Sequence, residues 1–137
     1  MIVDTSVLVA VFAAEPERDR FVDALLASST RRVSAGSWVE FATVLIRRFQ
    51  VSDPVSAQRK VAGLLGLTVV SVDEQQAAAA SLGYGAFGRG TRHRARLNCG
   101  DSFAYALAKT TGEPLLFKGD DFNHTDLLLA AESAYPR

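Results

Sequence analysis

A chain of 137 residues with 48% hydrophobic residues and no break in composition is expected to form one domain over 1–137, with a core that needs no staples. Fifteen Lys and Arg balance fifteen Asp and Glu, which excludes a polybasic nucleic-acid binder and confines any phosphate affinity to a local patch. The single Cys99 excludes an intramolecular disulfide, fits a reducing compartment, and is expected as a small apolar residue inside the fold.

Met1–Val3 predicts a minimal strand, and Thr5–Ala14 a helix that ends near Glu15-Pro16. The apolar run Val7–Ala14 is short of the ~20 residues a membrane span needs. No charged leader precedes Asp4, so a cytoplasmic protein without membrane attachment is expected. Pro16 can open a second helix with Phe21, Val22, Leu25 and Leu26 on one face, a surface that could help to pair subunits. Arg32–Ala35 is a candidate strand, and Ser37–Phe49 a helix with Trp38, Phe41, Ala42 and Leu45 at helical spacing. Asp53-Pro54 caps and opens the next helix, which Gly66 closes. Leu67–Val72 is the clearest strand, rich in β-branched residues. Asp73 caps an Ala-rich helix through about Leu82, and the glycines at 83, 85, 88 and 90 mark Gly83 to Asn98 as a loop. Asp101–Thr111 is helical, Gly112 ends it, and Pro114–Phe117 is a last short strand. The type of the apolar run Leu127–Ala131 is left open. Strands alternating with helices predict an α/β fold with a parallel sheet between helices, and ligands in such sheets gather beyond the carboxyl ends of the strands.

Acids stand at those ends: Asp4, Glu40, Asp101 and the pair Asp120-Asp121. Each has a purely local explanation. Asp4 can cap a helix, Ser37-Trp38-Val39-Glu40 fits the S-x-x-E capping box, Asn98-Cys99-Gly100-Asp101 places an acid three residues after a cap, and Asp120-Asp121 suits a turn after Gly119. Together they gather at one edge of the sheet. There each close pair would repel by about 4 kcal/mol at an effective dielectric near 20. A hard divalent cation with oxygen ligands removes that repulsion, so a Mg²⁺ site explains the set.

These segments resemble one family in order. Met1-Ile-Val-Asp4-Thr-Ser6 is similar to the first-strand signature of PIN domains, and Ser37–Phe41 with Glu40 to their second acidic motif. Leu97–Ala108 with Asp101 resembles the third. Leu115–Phe122 with Thr125-Asp126 resembles the fourth, in the form found in VapC toxins. The family's acid often falls earlier, where this chain has Lys118-Gly119, so Asp120 and Asp121 remain alternatives, with Asp121 preferred. The resemblance implies a PIN-like three-layer fold and a Mg²⁺-dependent endoribonuclease, with Mn²⁺ as substitute. Asp4 and Asp101 would be metal ligands, Glu40 would complete the shell or orient water, and Asp121 would complete the site. It also implies tRNA or rRNA as substrate, a homodimer, and a VapB-type antitoxin as partner.

Arg89, Arg92, Arg94 and Arg96 form an acid-free basic segment before Asp101, read as a phosphate contact or as a solvated loop. His93 and His124 match no zinc spacing, and there is no P-loop. The alternatives are a catalytically inactive PIN-like module that binds RNA or a partner, and a phosphatase with Asp4 as nucleophile. The phosphatase D-x-D pattern is broken by Ser6.

Overall fold

The computed structural model describes residues 1–134. Its elements are β1 (Ile2–Val3), α1 (Thr5–Phe12), α2 (Arg18–Ala27), β2 (Arg32–Ser34), α3 (Ala35–Phe49), α4 (Pro54–Leu65), β3 (Thr68–Val70), α5 (Glu74–Phe87), α6 (Cys99–Thr111) and β4 (Leu115–Leu116). The strands form one parallel sheet in the order β3-β2-β1-β4, as the alternation of strands and helices predicts.

Successive residues of a strand face opposite sides of a sheet, and two-residue strands are enough to build two cores. Ile2 and Leu115 join Leu97, Ala104, Leu107 and Phe117 on one side. Val3 and Leu116 join Leu8, Phe21, Phe41 and Leu45 on the other. Each fully buried side chain of this kind contributes roughly 1.5–3 kcal/mol. The result is three layers, helices on both faces of the sheet.

Local signals account for most boundaries. Asp53 Oδ1 accepts from Ser56 N at 3.0 Å, Pro54 opens α4, and Gly66 at φ +62° ends it. β3 is shorter than its β-branched run and lies at the sheet edge, with Val69 exposed. The final apolar run is extended beside β4: Leu115 N donates to Leu128 O at 2.9 Å and Ala130 N to Leu115 O at 2.8 Å. Farther along, Ala134 N donates to Phe117 O at 3.0 Å. Of the α2 face suggested for subunit pairing, Leu25 is fully buried in its own core, and Leu26 is exposed.

Two expectations are corrected. The loop expected from Gly83 begins only after Phe87, because α5 runs through Gly83 and Gly85. Gly83 is buried where Tyr105 of α6 lies on its backbone, and a Cβ there would collide with the tyrosine ring. The glycine permits close approach; it does not break the helix. Cys99, expected inside, is exposed as the first residue of α6.

Gly83→Ala should therefore lower Tm, although alanine is the better helix former by about 1 kcal/mol. Overpacking against Tyr105 costs typically ~1–3 kcal/mol. Calorimetry that shows a raised Tm would remove the Tyr105 contact as the reason for glycine.

Candidate active site

Asp4 follows β1 directly, and its amide donates to Leu116 O at 3.0 Å, so it stands beside the end of β4. It caps α1: Oδ2 accepts from Ser6 N at 2.9 Å and from Ser6 Oγ at 2.6 Å. Ser6 Oγ in turn accepts from Lys118 N at 2.9 Å, which ties the start of α1 to the chain after β4. Oδ1 is buried and has no hydrogen-bond partner among the described residues. Burial pushes the Asp4 carboxyl up to about 6, against the two Ser6 hydrogen bonds, and the Glu40 charge pushes the same way.

Asp101 sits in the first turn of α6. Its amide donates to Asn98 Oδ1 at 2.8 Å while its Oδ2 accepts from Asn98 N at 2.9 Å, a complete capping box. Only 7% of the residue is exposed. Burial, then the Asp4 charge, raises this carboxyl to about 7 despite the Asn98 hydrogen bond, and Asp121 and Glu40 add to the rise. For Asp4 and Asp101 the capping role is real and leaves one oxygen of each outside the cap's hydrogen bonds.

For Glu40 the capping explanation fails. α3 begins at Ala35, two residues earlier than expected, with Ser34 Oγ accepting from Gly36 N at 3.2 Å. Ser37 therefore lies inside the helix, its Oγ buried without a partner. Glu40 is left half-buried in the cleft with no cap to form. After β4, Asp120 is engaged by Asn123 Nδ2, whereas Asp121 lines the cleft. Burial raises the Asp121 carboxyl, and the Arg89 charge opposes that rise.

The open cleft holding Asp4, Glu40, Asp101 and Asp121 measures ≈ 930 Å³. Its wall contains cations that sequence reasoning missed, Arg47, Arg48 and Lys118. Helical spacing could have found the first two, since Glu40, Thr43, Val44, Arg47 and Arg48 continue one stripe of α3. Lys118 Nζ lies 2.5 Å from Glu15 and 2.9 Å from Glu17, and Arg48 lies 3.8 Å from Glu15. The segment Arg89–Arg96 does not line the cleft; its connection to the site is the Arg89 charge felt by Asp121. His93 structures that loop, with Nδ1 accepting from Ala95 N and its ring edge-on to Phe87 at 4.9 Å. Among the described residues, no group of three or more His, Cys, Asp or Glu side chains is placed to hold a metal ion. No helix among them is long and apolar enough to cross a membrane.

The PIN domain family description matches residues 1–128. Ribonuclease VapC42 of Mycobacterium tuberculosis is 46% identical over 130 residues, covering 93% of this chain and 96% of its own length. Ribonuclease VapC30 of the same organism is 43% identical over 132 residues, covering 96% and 98%. The solved structure of Mycobacterium tuberculosis VapC20, described as a Sarcin-Ricin loop cleaving toxin, superimposes with a TM-score of 0.71 at 18% identity, over 94% of this chain and 97% of that one. A toxin-antitoxin complex from Klebsiella pneumoniae gives 0.67, also at 18% identity, over 94% and 95%. With the family matched across nearly all of the chain and VapC ribonucleases above 40% identity over nearly their full length, the chain belongs to the PIN domain family, among its VapC toxin ribonucleases.

Proposed function

We propose that this VapC ribonuclease hydrolyses RNA phosphodiester bonds with Mg²⁺, or Mn²⁺ in its place, held by Asp4 and Asp101. The observation that carries the reading is Asp4 Oδ1, a buried carboxylate oxygen with no partner, at the end of a strand and among other acids. Hard cations take such oxygens, and Mg²⁺ binds through one or two carboxylates while keeping several waters, so two protein ligands suffice. When bound, the cation supplies an acidic water and stabilises charge on the phosphate.

The chain's own groups do the rest. Ser6 holds Asp4 Oδ2 and leaves Oδ1 outside its hydrogen bonds; the Asn98 box fixes the Asp101 carboxylate. Glu40 orients water or completes the shell, and Asp121 closes the site from the segment after β4. Arg47 and Arg48 on the α3 wall offer donors to RNA phosphates, where the acidic floor alone would repel them. VapC toxins pair with VapB antitoxins and act on RNA. Here the substrate is taken to be tRNA or rRNA, the chain to act as a cytoplasmic homodimer of a single domain, and a VapB-type antitoxin to silence it.

Purified protein free of antitoxin, incubated with total RNA and followed by end sequencing, should cut at discrete sites in Mg²⁺ or Mn²⁺. EDTA should stop cleavage, and added Mg²⁺ should restore it. Undiminished cutting in EDTA would sink the metal mechanism, and binding without cutting would leave the inactive module.

A further inference from the structure

Two glycines lie where α3 and α6 meet. On α3, Gly36 and Glu40 are four residues apart and share a face; on α6, Gly100 and Phe103 are three apart and share another. A Cβ at Gly36 would collide with the Phe103 ring, and a Cβ at Gly100 would overlap the Glu40 carboxylate. The exchange is reciprocal: α6 rests a phenyl ring on the α3 backbone, and α3 rests a carboxylate on the first turn of α6. Neither glycine has the positive φ that would demand glycine for backbone reasons. The space is what matters.

We propose that Gly100 is a positioning residue of the nuclease site, its missing Cβ forming the seat that keeps the Glu40 carboxylate beside Asp101. Gly36 and Phe103 set the helix spacing that makes this seat. The proposal rests on the reading of Glu40 as part of the metal centre. It also separates stability from activity. Alanine is a better helix residue than glycine, so a methyl at position 100 should not harm α6. It should instead evict Glu40, and a misplacement of about 1 Å can cost a catalytic group ~100-fold.

The test is a double-mutant cycle in the full chain. Gly100→Ala should keep or raise Tm, lower single-turnover cleavage at saturating Mg²⁺ by about a hundredfold, and weaken Mn²⁺ binding measured by calorimetry. In metal-free protein the ¹³Cδ resonance of Glu40 should move. Added to Glu40→Ala, the same change should cost little further, because the carboxylate that the methyl would displace is gone and Asn98 Oδ1, 3.1 Å from the new Cβ, need give by only a few tenths of an ångström. Glu40→Asp, one methylene shorter, should partly rescue cleavage in the Gly100→Ala background.

Wild-type cleavage by Gly100→Ala overturns the proposal, whether or not the resonance moves. So does an equal further loss in the Glu40→Ala background, which would assign Gly100 to another contact. If Gly100→Ala does not fold, folding of Gly100→Ala/Glu40→Ala supports the seat, and failure of both overturns it. The resonance reads the seat without any cleavage, so its failure is distinguishable from failure of the metal mechanism.

Discussion

Asp4→Asn and Asp101→Asn should each lower single-turnover RNA cleavage at saturating Mg²⁺ about a thousandfold, or ~4 kcal/mol of barrier. Both substitutions keep size and remove the charge that would hold the cation. Fold and charge are separable at Asp101: an asparagine Oδ1 can still accept from Asn98 N, so the capping box that starts α6 survives. A loss of activity with α6 intact is then electrostatic in origin. Asp120→Asn is the matched control, because Asp120 is engaged by Asn123 and lies outside the cleft lining; its rate should stay within about twofold of wild type. Rates would be measured on a defined RNA cut by the wild-type protein, with circular dichroism reporting the fold. A folded Asp101→Asn protein with wild-type turnover would take Asp101 out of the metal site.

The second large effect is on stability. In the metal-free protein the carboxyls of Asp4 and Asp101 lie near 6 and 7, against an ordinary 3.8. From pH 4 to 7 the folded chain therefore holds more protons on these groups than the unfolded chain does. Stability must fall as pH rises through that window and level off above it. For the pair the fall is on the order of 7 kcal/mol, enough to lower Tm by more than about 10 °C. Glu113 and Asp126, held below their ordinary 4.5 and 3.8 by ion-pair partners, act in the opposite sense, and their gain is essentially complete once pH has passed those ordinary values. On the proposed reading Mg²⁺ would bind the deprotonated acids, so saturating Mg²⁺ should restore most of the lost Tm at pH 8 and add little at pH 5.5. Scanning calorimetry at the two pH values, with EDTA and with Mg²⁺, measures both effects. Equal metal-free Tm values at pH 5 and 8 would show that the two acids are not held unpaired in a dry site.

The layered α/β fold was legible because its signals are local. Asp53-Pro54, Gly66 and Gly112 punctuate helices wherever they occur, and Ile2-Val3 and Leu115-Leu116 have no polar face to present to water. The acids were legible for a related reason. Asp4 caps α1 and Asp101 completes the capping box of α6, and helix starts at strand ends are where a parallel sheet collects its ligands. Cap and cleft were competing explanations in the sequence; in the fold they coexist. Glu40 was harder to read, since Ser37 fits a capping box as well as Ser34 fits a cap, and only the observed start of α3 separates them. The glycines at 83 and 100 look like helix breakers or ordinary turn residues until Tyr105 and Glu40 arrive from other segments. Arg47 and Arg48 resemble any exposed basic pair at the end of a helix. What the sequence hid was the far partner in each case.

The stitching of the final segment to β4 bears on how the protein is made. Asp121 stands in a stretch anchored at one end by Ser6 and at the other by the pairing of residues 128–134 with Leu115 and Phe117. During synthesis, at ~5–20 residues per second, Asp4 is made early and its third acidic neighbour in the cleft, Asp121, only after Glu40 and Asp101. No amino-terminal fragment that stops short of Asp121 can hold the whole acidic centre. If the proposed site is right, the capacity to cut RNA waits on the segment after β4, long after Asp4 has been made.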